Sequence, residues 1–239
     1  MTDLETNRAF YDRLWAGSRL VEPDRFNTWP LVRELVEQSR QRLEVAPGLR
    51  PRLPIEGTHF VDISEPALAR LRGRAAGVAL RSITDLPFDD GQFDLVCAFD
   101  IVEHVDDEHR AFSELARVCA PGGALLLSVP LHAAHWSAFD DAVGHRRRYE
   151  AVSLLDQLGT HGFAVERSAP FGMQPKSSWL LQFGMWALTH RRERALWWYN
   201  RVLMPLGIRL QKQLTFEPGL IDTTGVETVL LVCRRQSSR

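Results

Sequence analysis

Residues 86–99 read Leu86-Pro87-Phe88-Asp89-Asp90-Gly91-Gln92-Phe93-Asp94-Leu95-Val96-Cys97-Ala98-Phe99. The head, rich in Pro, Asp and Gly, reads as a turn, and the tail from Phe93 to Phe99 as a strongly apolar strand. Working outward, the same rhythm repeats. Short apolar runs at 43–45, 59–63, 78–80 and 124–129 predict further strands, separated by helical stretches near 66–74 and 107–118. Such alternation argues for a mainly parallel sheet with helices on both faces. Pro121-Gly122-Gly123 supplies a break between the second of these helices and the strand that follows.

Beyond Tyr149 the pattern predicts a helix at 151–161, a strand at 163–167 and a final β-branched strand at 228–233. The tryptophan-containing stretch between those last two strands is far longer than an ordinary connection, so it reads as a helical, functional insertion. Upstream, Tyr11, Trp15 and Trp29 suggest a helical N-terminal cover, with Thr28 or Trp29 at a helix cap and Pro30 in its first turn. The expected organisation is one domain: a cover (1–40), a core (41–170), an insertion (171–226) and a last strand (227–235).

Composition limits the function. The chain has 239 residues, 45% hydrophobic, with 29 basic against 30 acidic residues and no sustained block of one sign. Nothing in that balance asks for nucleic acid. Cys97, Cys119 and Cys233 form no CxxC pair and read as reduced, buried thiols. The polar N-terminus lacks a secretory h-region, and the apolar stretch at 179–188 is too short to span a bilayer, so a cytoplasmic protein with no integral membrane segment is expected. Oligomeric state is left open.

In open α/β sheets the ligand lies beyond the carboxyl ends of the strands, where strand order reverses. The first such end is Glu44-Val45-Ala46-Pro47-Gly48, an acid followed by small residues that let the backbone approach a ligand closely. The second is Asp62, whose carboxylate suits the two hydroxyls of a ribose. It reads alternatively as a cap for the next helix, a role Ser64 can also fill. The fourth strand is followed by Asp100-Ile101-Val102-Glu103-His104-Val105. His104 is a candidate general base or the partner of Glu103 in a structural pair.

The string from Leu86 to Val96, then Val102-Glu103-His104-Val105, then Ala120-Pro121-Gly122-Gly123-Ala124-Leu125, resembles class I S-adenosylmethionine-dependent methyltransferases of the type-11 group. Gly144-His145-Arg146-Arg147-Arg148-Tyr149 is similar to a segment of many bacterial members. The resemblance implies a Rossmann-like, mainly parallel seven-stranded sheet with S-adenosyl-L-methionine as cofactor. It implies that Glu44, Ala46 and Gly48 lie against the methionine part, that Asp62 holds the ribose, and that Ile63, Ser82 and Ile83 surround the adenine. Phe99 and Asp100 would flank the sulfonium. The sequence departs from the family where Ala46 and Arg50 replace glycines, where Pro51 and Pro54 shorten the next helix, and where Ser82 replaces an acid.

His104, His132 and His145 are the candidate catalytic residues, facing a small-molecule acceptor whose oxygen or nitrogen takes the methyl group. His132, His135, Asp140, Asp141 and His145 match no compact zinc spacing, so no metal is expected. Arg146 to Arg148 read as a solvated helix entry or as ligands for an acidic acceptor. Trp179, Trp186, Trp197 and Trp198 read as core or as pocket wall. Two rival functions are a nicotinamide-dependent oxidoreductase, which the missing G-x-G-x-x-G opposes, and a non-catalytic scaffold, which only the altered loop favours.

Overall fold

The computed structural model describes residues 18–172 and 197–237, together with Arg8, Tyr11, Asp12, Leu14 and Trp15. Eight strands form one sheet: β1 (Arg42–Val45), β2 (Thr58–Asp62), β3 (Gly77–Leu80), β4 (Phe93–Phe99), β5 (Cys119–Pro130), β6 (Phe163–Phe171), β7 (Glu217–Pro218) and β8 (Thr228–Arg235). Their spatial order is β3-β2-β1-β4-β5-β8-β6-β7. Strands β1 to β5 pair in parallel, whereas β8, β6 and β7 join antiparallel. The eighth strand is the two-residue edge piece β7, too short to leave a periodic signal in the sequence.

The sheet is covered on both sides, and β4 carries the period-two division in one run. Val96 and Ala98 join the larger core cluster with Leu125, Leu127 and Leu231, under helices α3 (Glu108–Val118) and α5 (Ala151–Thr160). Leu95 and Cys97 face the opposite cluster with Leu126, Leu230 and Val232, under α1 (Trp29–Glu37). A strand buried on both faces has no solvent side, which is why Phe93–Phe99 reads as continuous apolar sequence. Cys97, Cys119 and Cys233 are free thiols within this core.

The turn at 86–91 is held by α3. Glu114 accepts the Leu86 amide (2.8 Å), while Arg117 donates to the carbonyls of Leu86 (2.8 Å) and Phe88 (2.6 Å). The pair closes on itself through Arg117 Nη2 and Glu114 Oε2 at 2.9 Å. Glu114 and Arg117 lie three apart, on the same helix face.

Several boundaries differ from the sequence expectation. Helix α3 passes directly into β5 at Cys119, and Pro121-Gly122-Gly123 lies inside that strand as an irregularity: Phe93 pairs with Cys119, but Leu95 with Ala124. Gly122 takes φ +77°, and a Cβ on Gly123 would come within 2.8 Å of the Ala120 carbonyl, so the glycines serve the bulge. Helix α2 spans Glu65–Leu71. Helix α4 (Ala138–Val143) stands where the sequence reads as loop, closed at its start by reciprocal bonds between Ser137 and Asp140. Thr28 and Pro30 open α1 as expected.

Of the insertion, residues 199–203 form a π-helical turn leading into α6 (Met204–Arg209), so this part is helical as read, whereas 211–226 is extended and turns through β7. Trp179 and Trp186 lie outside the described residues. Trp197 and Trp198 are each 56% exposed and so are not core. Among the described residues no helix is long and apolar enough to cross a membrane.

Because both faces are buried, Leu126→Ala and Leu127→Ala should each cost about 2–5 kcal/mol in urea unfolding, the range for leucine truncation in cores. Val152→Ala on α5, at a position 73% exposed, should stay within about 0.5 kcal/mol of the parent.

Candidate functional site

The order of the sheet reverses at β1, which has β2 on one side and β4 on the other. The registers Val45↔Val61 and Val45↔Ala98 bring Ala46, Asp62 and Phe99 to one edge, side by side. Backbone strain collects there. Among the described residues the non-glycine positions with positive φ are Ala46 (+56°), Asp100 (+49°) and His132 (+61°), at the carboxyl ends of β1, β4 and β5. Such conformations cost about 1–3 kcal/mol each and persist where the surroundings impose them. The left-handed backbone of Ala46 is a conformation that suits glycine.

A buried carboxylate ties the first two strand ends together. Asp62 Oδ2 accepts the Gly48 amide (3.0 Å) and Oδ1 accepts the Ser64 amide (2.8 Å). Burial outweighs these bonds and pushes the Asp62 carboxyl up to about 6. Ser64 occupies the N-cap position of α2, but its hydroxyl donates to Asp12 Oδ1 at 2.6 Å instead of capping. A carboxylate has about four lone-pair sites, so Asp62 retains acceptor capacity beyond the amides that it holds. That geometry fits the two hydroxyls of a ribose.

The N-terminal segment rests on this crevice. A Cβ on Gly48, itself at φ +54°, would run into the Trp15 ring. Trp15 stacks with Tyr11, and Tyr11 Oη lies 3.3 Å from His104 Nε2. The Arg50 guanidinium sits 5.1 Å from the Trp15 ring centre, and Asn200 donates to the Leu14 carbonyl at 3.3 Å. Arg50 thus supplies a seat for the cover.

Glu44 does not project into the crevice; it organises the loop. Its oxygens accept the amides of Arg52 (2.8 and 3.0 Å) and Leu53 (2.8 Å). Burial dominates over those bonds and raises its carboxyl to about 7. Arg52, which sequence reasoning missed, lies 3.8 Å from the Phe26 ring centre and flanks Phe99 and Phe171. Burial lowers its basicity while Glu44 and then Asp100 restore it, and its buried Nη1 has no hydrogen-bond partner. A guanidinium boxed by aromatic rings beside the loop is a donor for an anionic group.

Asp100 opens on the crevice yet is ringed by protein, and burial raises its carboxyl against the bond from Ser128 Oγ (2.7 Å). Phe99 packs on Phe171 at 5.4 Å. Ile63 and Ser82 are partly exposed along the edge, whereas Ile83 is only 3% exposed and belongs to the core. Ser82 spends its hydroxyl on Thr84 (2.8 Å).

The candidate catalytic histidines divide. His104 and His145 meet edge to face at 4.7 Å, although far apart in sequence. Burial drives His104 down to about 3, helped by the charge of His145, while the nearby Gly144 carbonyl acts in the other direction. His145 is lowered by burial but held by Asp140, at 2.7 Å. Asp140 is gripped by Arg148 through two bonds (2.8 and 3.0 Å); burial alone would raise its carboxyl, yet these bonds bring it to about 2. His132 stands apart, bonded to the Thr223 carbonyl at 2.7 Å. Arg148 is internal, and Arg146 and Arg147 bind Asp106 and Glu108, so this segment braces the site from within.

Residues 49–127 match the family described as "Methyltransferase domain". Over that stretch, which carries β4 and much of the crevice edge, the chain is similar to S-adenosylmethionine-dependent methyltransferases. A probable S-adenosylmethionine-dependent methyltransferase of Mycolicibacterium smegmatis is 34% identical over 110 residues, 44% of this chain and 43% of that protein. A chloroplastic tocopherol O-methyltransferase of Arabidopsis thaliana is 36% identical over 79 residues, 33% of this chain and 22% of that one. The chain therefore spans less than half the length of these relatives. The methyltransferase fold is shared with a solved structure from Thermotoga maritima, titled a possible histamine N-methyltransferase, at TM-score 0.56 and 16% identity over 87% of this chain and 93% of that one.

The seat of Trp15 on Gly48 predicts energetic coupling. Gly48→Ala should cost more than about 2 kcal/mol in urea unfolding, combining the clash with a left-handed alanine. In a Trp15→Ala background only the backbone part should remain, about 1–2 kcal/mol. Equal costs in both backgrounds would dissolve the contact.

Proposed function

We propose that the chain binds S-adenosyl-L-methionine across β1, β2 and β4 and transfers its methyl group to an oxygen or nitrogen of a small organic acceptor. The observation that carries this reading is the Asp62 carboxylate, buried at a strand end and accepting the amides of Gly48 and Ser64 from two adjoining loops. When bound, the cofactor supplies a methyl group on a cationic sulfur. Asp62 holds the ribose hydroxyls, Arg52 takes the carboxylate of the methionine part, Ile63 lies on the adenine, and Phe99 and Asp100 border the sulfonium end. Glu44 serves by bracing the loop rather than by touching the ligand.

The transfer is an in-line displacement: the acceptor atom bonds to the methyl carbon as the carbon–sulfur bond breaks, and the acceptor's proton passes to solvent. Alignment and exclusion of water supply most of the rate. A neutral imidazole that protonates only near 3 is a weak base at pH 7, so His104 contributes little as a general base. The N-terminal cover, through Tyr11, Asp12 and Trp15, closes the crevice. A small acceptor agrees with the name of the tocopherol relative. The nicotinamide reading lacks support because the loop has no series of glycines to admit a pyrophosphate.

Calorimetric titration with S-adenosylhomocysteine should give a micromolar to submillimolar Kd, while NAD gives no heat. Asp62→Ala should weaken S-adenosylhomocysteine by about 1.5–3 kcal/mol, as for hydrogen bonds to a charged group, with a folded far-UV spectrum retained. Preferential NAD binding, or a folded Asp62→Ala variant with unchanged Kd, would refute the reading.

A further inference from the structure

Glu103 is fully buried, and among the described residues neither of its carboxyl oxygens has a hydrogen-bond partner. A buried carboxyl without a partner either keeps a proton or is bound to a cation. The side chains around Glu103 supply metal-ligand chemistry. His145 Nε2 lies 3.8 Å from Glu103 Oε1, too far for a hydrogen bond. The His104 ring is buried beside the Gly144 carbonyl, and its Nε2 lies 3.3 Å from Tyr11 Oη. One ligand atom from each of Glu103, His104 and His145 lies within 4.8 Å of the others.

The surroundings add a second observation. His145 places its other nitrogen, Nδ1, 2.7 Å from Asp140 Oδ1, and Asp140 is itself locked by Arg148. A carboxylate that fixes the ring of a histidine in this way is the usual support behind a ligating imidazole, because it sets the tautomer and aims Nε2. Here that nitrogen is aimed at the partnerless carboxylate. Were Glu103 only a structural partner of His145, a direct bond would be expected, and its second oxygen would still be unsatisfied.

We propose that Glu103, His104 and His145 form a binding site for one divalent transition-metal ion, held by two imidazoles and one carboxylate. Imidazole nitrogens suit zinc, manganese, cobalt and iron, while magnesium and calcium prefer oxygen alone. Zinc holds nitrogen ligands at about 2.0–2.1 Å, so the donors close inward by rotation of their side chains. Three protein ligands leave a coordination position open. The site adjoins Asp100 at the end of β4, on the acceptor side of the crevice. A metal ion there would take an acceptor hydroxyl and lower its pKa. That role rests on the proposed methyl transfer, but metal binding itself does not.

The test uses the full chain, stripped with a chelator and titrated with zinc, manganese and cobalt chlorides in the absence of cofactor and acceptor. One ion per chain is expected, with cobalt giving visible absorption bands. His145→Ala and His104→Ala should each weaken binding about a hundredfold or more, and Asp140→Asn about ten- to hundredfold. His135→Ala, at an exposed histidine outside the cluster, should bind like the parent. Circular dichroism identifies which variants are folded, and the parent's titration stands whether or not Glu103→Gln folds. A folded parent that takes up none of the three metals, or that keeps its affinity in folded His104→Ala and His145→Ala, overturns the site.

Discussion

The Asp62 carboxylate is the constraint around which the crevice is built. It is 6% exposed, ends the second strand, and accepts amides from two different loops, Gly48 after β1 and Ser64 before α2. Hydrogen bonds to a charged group contribute about 1.5–3 kcal/mol each, and here they counter only part of the burial, which still raises the carboxyl to about 6. Around this bridge the remaining features fall into place. Gly48 must accept φ +54° and the Trp15 ring together, Glu44 must hold the far side of the same loop, and the left-handed Ala46 must turn the chain between them.

The β4 end forms the other half. Asp100, turned into a left-handed conformation and tied to Ser128, directs the chain into Glu103 and His104. From the far side, α4 and the Gly144–Tyr149 segment bring His145 and Arg148 against it. The two halves differ in character: the β1–β2 half offers spare acceptors and backbone amides, suited to a ribose. The β4 half gathers imidazoles and a partnerless carboxylate, suited to a metal ion and an acceptor.

Much of the fold was legible because parallel strands covered on both faces leave plain apolar runs, as in Phe93–Phe99, and because turn residues punctuate them. The strand-end position of Asp62 was legible because the apolar run Phe60-Val61 stops at it, whereas its bridge between the Gly48 and Ser64 amides was not. What was not legible depended on distance. Nothing local links His104 to His145, so the sequence expectation of no metal weighed His132, His135, Asp140, Asp141 and His145 and did not bring Glu103, His104 and His145 together. The partner of Arg148 could not be read from a run of three arginines. Helix α4 is a single capped turn and a half, and β7 only two residues, too short for periodicity. Arg52 was overlooked because its role comes from the rings of Phe26, Phe99 and Phe171, which the fold alone assembles.

The central claim is that the Asp62-bridged strand ends are the cofactor site. Amide hydrogen exchange of the full chain, with and without saturating S-adenosylhomocysteine, tests it most directly, because the Gly48 and Ser64 amides are themselves the donors to Asp62. Exchange should slow over residues 46–53, 62–65 and 99–104 and stay unchanged over 151–160 on α5. Slowing confined to segments away from the β1, β2 and β4 ends, with 46–53 and 62–65 unaffected by a bound ligand, would contradict the account.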